Sequence, residues 1–321
     1  MKETVGRSTQ IKTPSRLNQW FCEAGADLKK YKGVYLIMLP GIVFYILFHY
    51  LPMYGIIISF QDYSPAKGVF ESAWVGLKHF KDFFGGMYAW RIISNTLILN
   101  FYILIFVFPL PIILAILMNE LHSVKFKKAV QTVTYLPHFI SLVVLCGMVV
   151  DFTSSRGFIT SIVNSITGKN YANLLYEVDM FRPIYVCAKI WQQTGWSSII
   201  YLAALSGLDM ELYEAATIDG ARKLRQLWHI TLPGILPTIM VMLILQVGQM
   251  MSLGADMTIL LYNPVVYEKA DIISSFIYRY GLTQSNYSYS SAVGLFNSVV
   301  NCILVLGANQ LSKKVSGSGL F

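Results

Sequence analysis

Residues 208–233 read Leu208-Asp209-Met210-Glu211-Leu212-Tyr213-Glu214-Ala215-Ala216-Thr217-Ile218-Asp219-Gly220-Ala221-Arg222-Lys223-Leu224-Arg225-Gln226-Leu227-Trp228-His229-Ile230-Thr231-Leu232-Pro233. The first half has the makings of a helix. Leu212, Ala215 and Ala216 fall on one face, and Glu211 and Glu214 occupy early turns, where the helix dipole favours acidic side chains. Gly220 ends or sharply turns that helix, because glycine accepts left-handed backbone angles without a steric penalty. A second helix, basic and apolar, is expected next, and Pro233 stands where the chain passes into an apolar block. The segment is thus expected to fold as a compact helix–turn–helix. Its small residues Ala215, Ala216 and Gly220 leave room for another protein to dock closely; tight packing within the chain would select the same residues. Arg222, Lys223 and Arg225 suit such a contact, and a position beside a membrane explains them equally well.

Working outward, the flanking segments are long and apolar. Six blocks stand out, at about 34–60, 95–118, 130–152, 184–208, 234–255 and 288–311. Each reaches the ~20 residues a helix needs to cross a bilayer. Hydrophobic residues make up 55% of the 321 and charged residues only 13%, with a mean hydropathy of +0.53. That charged share is roughly half the soluble-protein norm, too little to keep the surface of a soluble domain wet. An all-α membrane protein with six transmembrane helices is the expected fold class. The first block is too long for a signal peptide and is expected to stay as an anchor. Prolines within the blocks are tolerated where neighbours and local rearrangement satisfy the freed carbonyls.

The net charge of +8 points to membrane orientation rather than to nucleic acid, since the basic residues flank the apolar blocks. Fifteen of the 25 Lys and Arg fall in the arm 1–33, the connections 119–129 and 209–233, and the tail 313–321. Nine fall in the other three connections, which are longer, so both termini are expected in the cytoplasm of a multi-pass cell-membrane protein. The expected organisation is a basic arm at 1–33, a membrane domain at 34–312 and a cytoplasmic tail at 313–321. In the connection after the first block, Leu77, Phe80 and Phe84 recur at helical spacing, which predicts a short amphipathic helix, lying in the interface or packed on the protein. The stretch 256–287 is too long to hang free and is expected to fold into a helix or re-entrant piece. Cys22, Cys146, Cys187 and Cys302 lack metal or redox spacing and read as buried packing residues.

The pattern Glu214-Ala215-Ala216, three residues, Gly220, nine residues, Ile230-Thr231-Leu232-Pro233 resembles the EAA signature of ABC importer permeases, with every signature position at the right spacing. Less specific stretches, Lys32–Gly41, Tyr135–Ser141 and Val293–Asn301, resemble the carbohydrate-type permeases that import complex sugars in Gram-positive bacteria. The resemblance implies a type I importer permease fold, with Glu214, Ala215, Ala216, Asp219, Gly220 and Arg222 in coupling helices docked into an ATPase cleft. It implies a complex of this chain with a second homologous permease, two ATPase subunits and an extracellular solute-binding (lipo)protein. The sequence contains no G-x-x-x-x-G-K-[ST] loop, so ATP and Mg are expected on the ATPase partner, with no cofactor or enzymatic activity in this chain.

A sugar path needs amides or carboxylates and aromatic platforms. The fourth block offers Lys189, Trp191, Gln192, Gln193 and Trp196, the fifth Gln246 and Gln249, the sixth Asn297 and Asn301. Gln192 and Trp196 share a helical face with Lys189. Polar groups inside a span usually face protein or water, and binding neighbouring helices would use the same amides. Lys189 can snorkel to the surface or line the path; on a path it would suit an acidic sugar. His138, beside Pro137, is expected to hydrogen-bond another helix. A secondary transporter would carry midspan carboxylates and an internal repeat, and a membrane enzyme would cluster reactive groups; the spans show neither. An ABC permease for a peptide or anion shares the coupling loop and stays open.

Overall fold

In the computed structural model the described residues are 29–251 and 254–316; most of the basic arm, Cys22 and the end of the tail lie outside them. The chain divides into two compact units, up to Ile56 and from Ile57 onward. The first holds α1, Lys32–Tyr45, which continues through a π-helical turn at Ile46–Tyr50.

The second unit opens with a two-stranded antiparallel hairpin, β1 Gln61–Asp62 and β2 Ala73–Trp74. Helices follow as α2 Lys78–Gly85, α3 Ala89–Asn119, α4 Val124–Phe139, α5 Leu142–Thr153, α6 Phe158–Thr167 and α7 Phe181–Ser206. Then come α8 Met210–Ile218, α9 Lys223–Gly248, α10 Ala255–Leu261, α11 Ile273–Tyr278 and α12 Tyr287–Ser316.

Among the described residues, four helices are long and apolar enough to cross a membrane: Lys32–Phe60, α3, α9 and α12. The third block is no straight span. It breaks at Ile140–Ser141 into α4 and α5, bent by 99°. Pro137 removes a ladder bond one turn earlier, Ile140 turns extended, and the Ser141 hydroxyl caps α5 by accepting from the Val144 N–H. The fourth block becomes α7, whose 26 residues suffice in length but whose middle carries Lys189, Gln192, Gln193 and Thr194.

Prolines leave a second mark. The π-turns Ile46–Tyr50, Ile103–Val107 and Leu227–Thr231 each end two residues before a proline: Pro52, Pro109 and Pro233. A proline ring clashes with the carbonyl four residues back, which in all three cases belongs to the π-turn. Widening the helix there makes room for the ring without ending the span.

Three apolar clusters hold the second unit. One joins α3, α5, α7, α10 and the segment 266–272 through Leu99, Leu145, Phe181, Tyr185 and Ile272. Another joins α2, α11 and α12 to the start of α3 through Phe83, Ile92, Phe276 and Val293. The third packs the far half of α3 on α7 and α9 through Ala115, Tyr201, Leu205 and Ile235. The stretch 256–287 does fold into short helices and is among the most deeply buried parts of the chain.

The expected short helix forms as α2, with Phe83 and His79 facing inward and Leu77 and Phe84 exposed; His79 Nε2 lies 3.0 Å from the Gln61 carbonyl oxygen. One expectation needs correction. Of the cysteines in the described residues only Cys146 is buried, whereas Cys187 and Cys302 are exposed on helix faces.

Candidate functional site

Two ends of the second unit are distinguished by what they carry. At one end, α8 begins at Asp209, whose carboxylate accepts from the Glu211 N–H at 3.0 Å. It ends in a Schellman arrangement: the Ala221 N–H donates to the Ala216 carbonyl at 2.8 Å and the Gly220 N–H to that of Thr217 at 3.0 Å. This closure requires Gly220 at φ +77°, the left-handed region open to glycine. The turn is tied back by Gln226 Nε2, which donates to the Thr217 hydroxyl at 2.9 Å, and by Tyr213, whose hydroxyl meets that of Thr231 at 2.9 Å. Lys223 pairs with Glu120, joining this turn to the α3–α4 connection.

On this frame Glu214, Ala215, Asp219, Gly220 and Arg222 are exposed and Ala216 is half-buried. Around them Leu212, Ile218, Leu224 and Trp228 also stand exposed. The expected second helix is not separate: residues from Lys223 run through the π-turn into α9, so the turn is rigidly continuous with a span.

Inside the bundle the structure sorts the path candidates. Gln193, Ser197 and Tyr201 of α7 line a small cleft with Gln246 and Met242 of α9 and Val107, Phe108 and Pro111 of α3. Lys189 lies one turn along the same stripe, half-buried. The cleft encloses about 40 Å³, room for a water or two and far too little for a sugar ring. Gln192 is half-buried and Gln249 exposed, and neither lines the cleft.

The two tryptophans part company. Trp191 lines an apolar groove of about 420 Å³ with Phe152, Ile159 and Pro183 between α5, α6 and α7. Trp196 stacks on His138 with ring centroids 4.4 Å apart and planes within 1°. His138 is therefore a stacking partner in the bend rather than the expected hydrogen-bond partner, and it covers one face of the indole.

Asn297 and Asn301 are committed elsewhere. Asn301 Nδ2 donates to the Gly248 carbonyl at 2.5 Å and Asn297 Nδ2 to the Met251 carbonyl at 2.8 Å. They cap the end of α9, which stops at Gly248 rather than near residue 255 as expected, and satisfy carbonyls that have no helical partner. Asn301→Leu leaves the Gly248 carbonyl unpaired and is expected to cost about 1–3 kcal/mol. A melting temperature in detergent equal to that of the parent would reject this capping role.

At the opposite end Asp271, fully buried, accepts from Arg279 Nη1 at 3.2 Å and Nη2 at 2.5 Å, and from Ser275 Oγ at 2.9 Å. Burial disfavours the Arg279 charge, but Asp271 more than restores it and holds the guanidinium pKa above its ordinary value. The Arg279 guanidinium also lies 4.4 Å from the Tyr267 ring centroid. Asn95 Nδ2 donates to the Glu268 and Asp271 carbonyls while its oxygen accepts from Arg182 at 2.7 Å. Lys269 pairs with Asp179, and that hydrogen bond lowers the Asp179 pKa. Sequence reading missed this network. Its one legible signal was an excess of arginines at helix starts, where the dipole disfavours them.

A bundle of apolar helices with an exposed helix–turn at one end is the architecture of a multi-span membrane protein. The chain belongs to the binding-protein-dependent transport system inner membrane component family, which matches residues 83–317. Its relatives include Protein LplB of Bacillus subtilis, 46% identical over 92% of this chain and 93% of that protein. The polygalacturonan/rhamnogalacturonan transport system permease protein YteP of the same organism is 45% identical over 90% of both. Among solved structures, a bacterial ABC transporter involved in the import of the acidic polysaccharide alginate has a chain that superimposes with a TM-score of 0.84 at 40% identity. The match covers 92% of this chain and 99% of that one. The chain is thus a multi-pass membrane protein of the type I ABC importer permease fold, a permease subunit for sugar or oligosaccharide import.

Proposed function

We propose that this subunit imports an acidic oligosaccharide, driven by ATP hydrolysis in separate subunits. The reading is supported above all by the α7 stripe, where Lys189 is followed at successive turns by Gln193, Ser197 and Tyr201, the last three facing Gln246. A single cation above a row of hydroxyl and amide groups matches a sugar that carries a carboxylate. The alginate transporter and YteP lend support, since both are named for the transport of acidic sugar polymers. A cleft too small for a ring in one chain fits a path completed by a second permease.

In this reading both termini are cytoplasmic and α8 with its turn docks on an ATPase, which binds ATP and Mg. Two ATPases, a second permease and an extracellular binding protein complete the assembly; a related structure contains the alginate transporter with an alginate pentasaccharide-bound periplasmic protein. Glu214, Ala215, Ala216, Asp219, Gly220 and Arg222 form the docking face, and Trp191, Gln192, Trp196 and Gln249 flank the path. ATPase closure pushes α8, and the hydrogen bonds that tie α8 to the start of α9, Gln226 to Thr217 and Tyr213 to Thr231, carry that motion into the span.

The cargo is tested with the purified assembly in proteoliposomes, comparing a uronic-acid oligosaccharide with a neutral one of equal length. Uronide uptake is expected to exceed neutral uptake at least ~10-fold, and Lys189→Met to abolish the preference. Equal uptake of both sugars would refute acidic selectivity. Gly220 tests the coupling. An added Cβ meets nothing within 4 Å, so strain, not bulk, is the obstacle within this chain. Gly220→Val forces a β-branched residue to φ +77° at roughly 1–3 kcal/mol. Its uptake is expected to fall about tenfold or more while Gly220→Asn, which tolerates this region, retains most of it. Equal loss in both variants would point to side-chain clash with the partner instead.

A further inference from the structure

The arginine network opposite α8 holds more cations than ion-paired carboxylates, with the exposed Glu268 beside it in no ion pair among the described residues. Among the described residues Arg91, Arg182, Lys269 and Arg279 gather there around two carboxylates in ion pairs, Asp179 and Asp271. Lys269 is taken by Asp179 and Arg279 by Asp271 in a two-pronged bond. Arg182 donates to neutral oxygens, Asn95 Oδ1 at 2.7 Å and the Lys269 carbonyl at 3.3 Å.

Arg91 is the least satisfied. Its Nη2 stands 3.9 Å from the Asp271 oxygen that Arg279 already holds at 2.5 Å, and its Nε is buried without a hydrogen-bond partner. Its guanidinium rests 5.0 Å from the Tyr88 ring centroid, which leaves the outer edge free, and the side chain is 33% exposed. Both Arg91 and Arg182 lie in first turns, of α3 and α7, where the helix dipoles add positive potential. A planar guanidinium with unused donors, in a site already positive and partly desolvated, is matched to a carboxylate.

We propose that Arg91 is the open arm of an anion-receiving site, with Arg182 and Arg279 behind it, that takes a sugar carboxylate at the end of the bundle opposite α8. The class of ligand rests on the acidic-oligosaccharide reading; the site itself rests on the charge imbalance and the orphaned Nε. The Asp271–Arg279 pair acts as its rigid floor, and Tyr88 holds the Arg91 plane in place.

The test uses the whole assembly in nanodiscs of zwitterionic lipid, with a uronic-acid trisaccharide, a neutral trisaccharide of equal size and sulfate as probes at millimolar concentration. The uronide is expected to raise Tm by about 2–4 °C, with the neutral sugar and sulfate giving little. Arg91→Gln is expected to lose that shift while its own Tm without ligand stays near the parent, and Arg91→Lys to keep part of it. An undiminished uronide shift in Arg91→Gln overturns the proposal, as does an equal shift from sulfate. So does stabilisation that depends on Arg91 only in anionic-lipid discs, which would assign the site to a lipid headgroup. Normal selective uronide uptake with an unchanged Arg91→Gln shift sinks this site alone. Unselective uptake with an Arg91-dependent uronide shift sinks the cargo reading and leaves the site.

Discussion

Replacing Gly195 by alanine is expected to leave little correctly folded protein in the membrane. The α4 and α7 backbones cross at this residue. An added methyl would land on the Thr134 carbonyl oxygen and carbon and within 2.9 Å of the Thr134 Cβ. That carbonyl is fixed within α4, and Thr134 itself folds back to donate to the Val130 carbonyl at 2.8 Å, so neither helix can give by a rotamer change. Overpacking of this kind costs 1–3 kcal/mol where side chains can move. With backbone against backbone we expect more than ~3 kcal/mol, a large part of the 5–15 kcal/mol that keeps a protein folded. The same crossing seats the His138–Trp196 stack. Fluorescence-detected gel filtration reports the outcome: the Gly195→Ala peak should collapse. Gly147→Ala in α5, where nothing lies within 4 Å, should behave like the parent or better. Parent-like Gly195→Ala protein would show that the helices can separate at no cost.

The second large effect is expected at Asp271. Asp271→Ala leaves Arg279 buried beside Arg91 with no carboxylate, and breaking one partner of a buried pair costs about 3–5 kcal/mol. The loss should be read as a fall in Tm and as faster proteolysis of the 256–287 region. Removing the orphaned charge as well, in Asp271→Ala with Arg279→Met, should recover part of it. A double variant no better than the single would mean that the hydrogen bonds to Ser275, not the charge pair, hold this end together.

Much of the architecture was legible because the membrane imposes one pattern. A span must be apolar for about 20 residues and must satisfy its own backbone, so block positions could be read off with ends wrong by a few residues. The exceptions have causes of a different kind. The 99° break at Ile140–Ser141 starts from Pro137 and the Ser141 cap, but the close crossing of α4 on α7 at Thr134 and Gly195 joins residues 61 positions apart. The early stop of α9 at Gly248 depends on Asn297 and Asn301 reaching back from α12 to cap it. Neither contact has a local signature.

The candidate site divides along the same line. The turn after α8 was readable in its first half, since a helix closed in this way needs glycine at one defined position, while the second helix expected after it is part of α9. The candidate path residues were readable only as a list. Lys189, Gln193 and Gln246 are polar residues in apolar blocks by sequence alone, as are Asn297 and Asn301.

Residue order by itself determined that this chain is a multi-span helical membrane protein with a glycine-closed turn on the surface. These properties follow from hydropathy and backbone stereochemistry, which act over a few neighbouring residues. Tertiary structure decided which amides face the cleft, which cap a helix, and that two arginines from distant segments, Arg91 and Arg279, converge on one buried carboxylate. Those outcomes depend on how helices rotate and cross, and the energy that sets rotation lies in contacts between residues far apart in the chain.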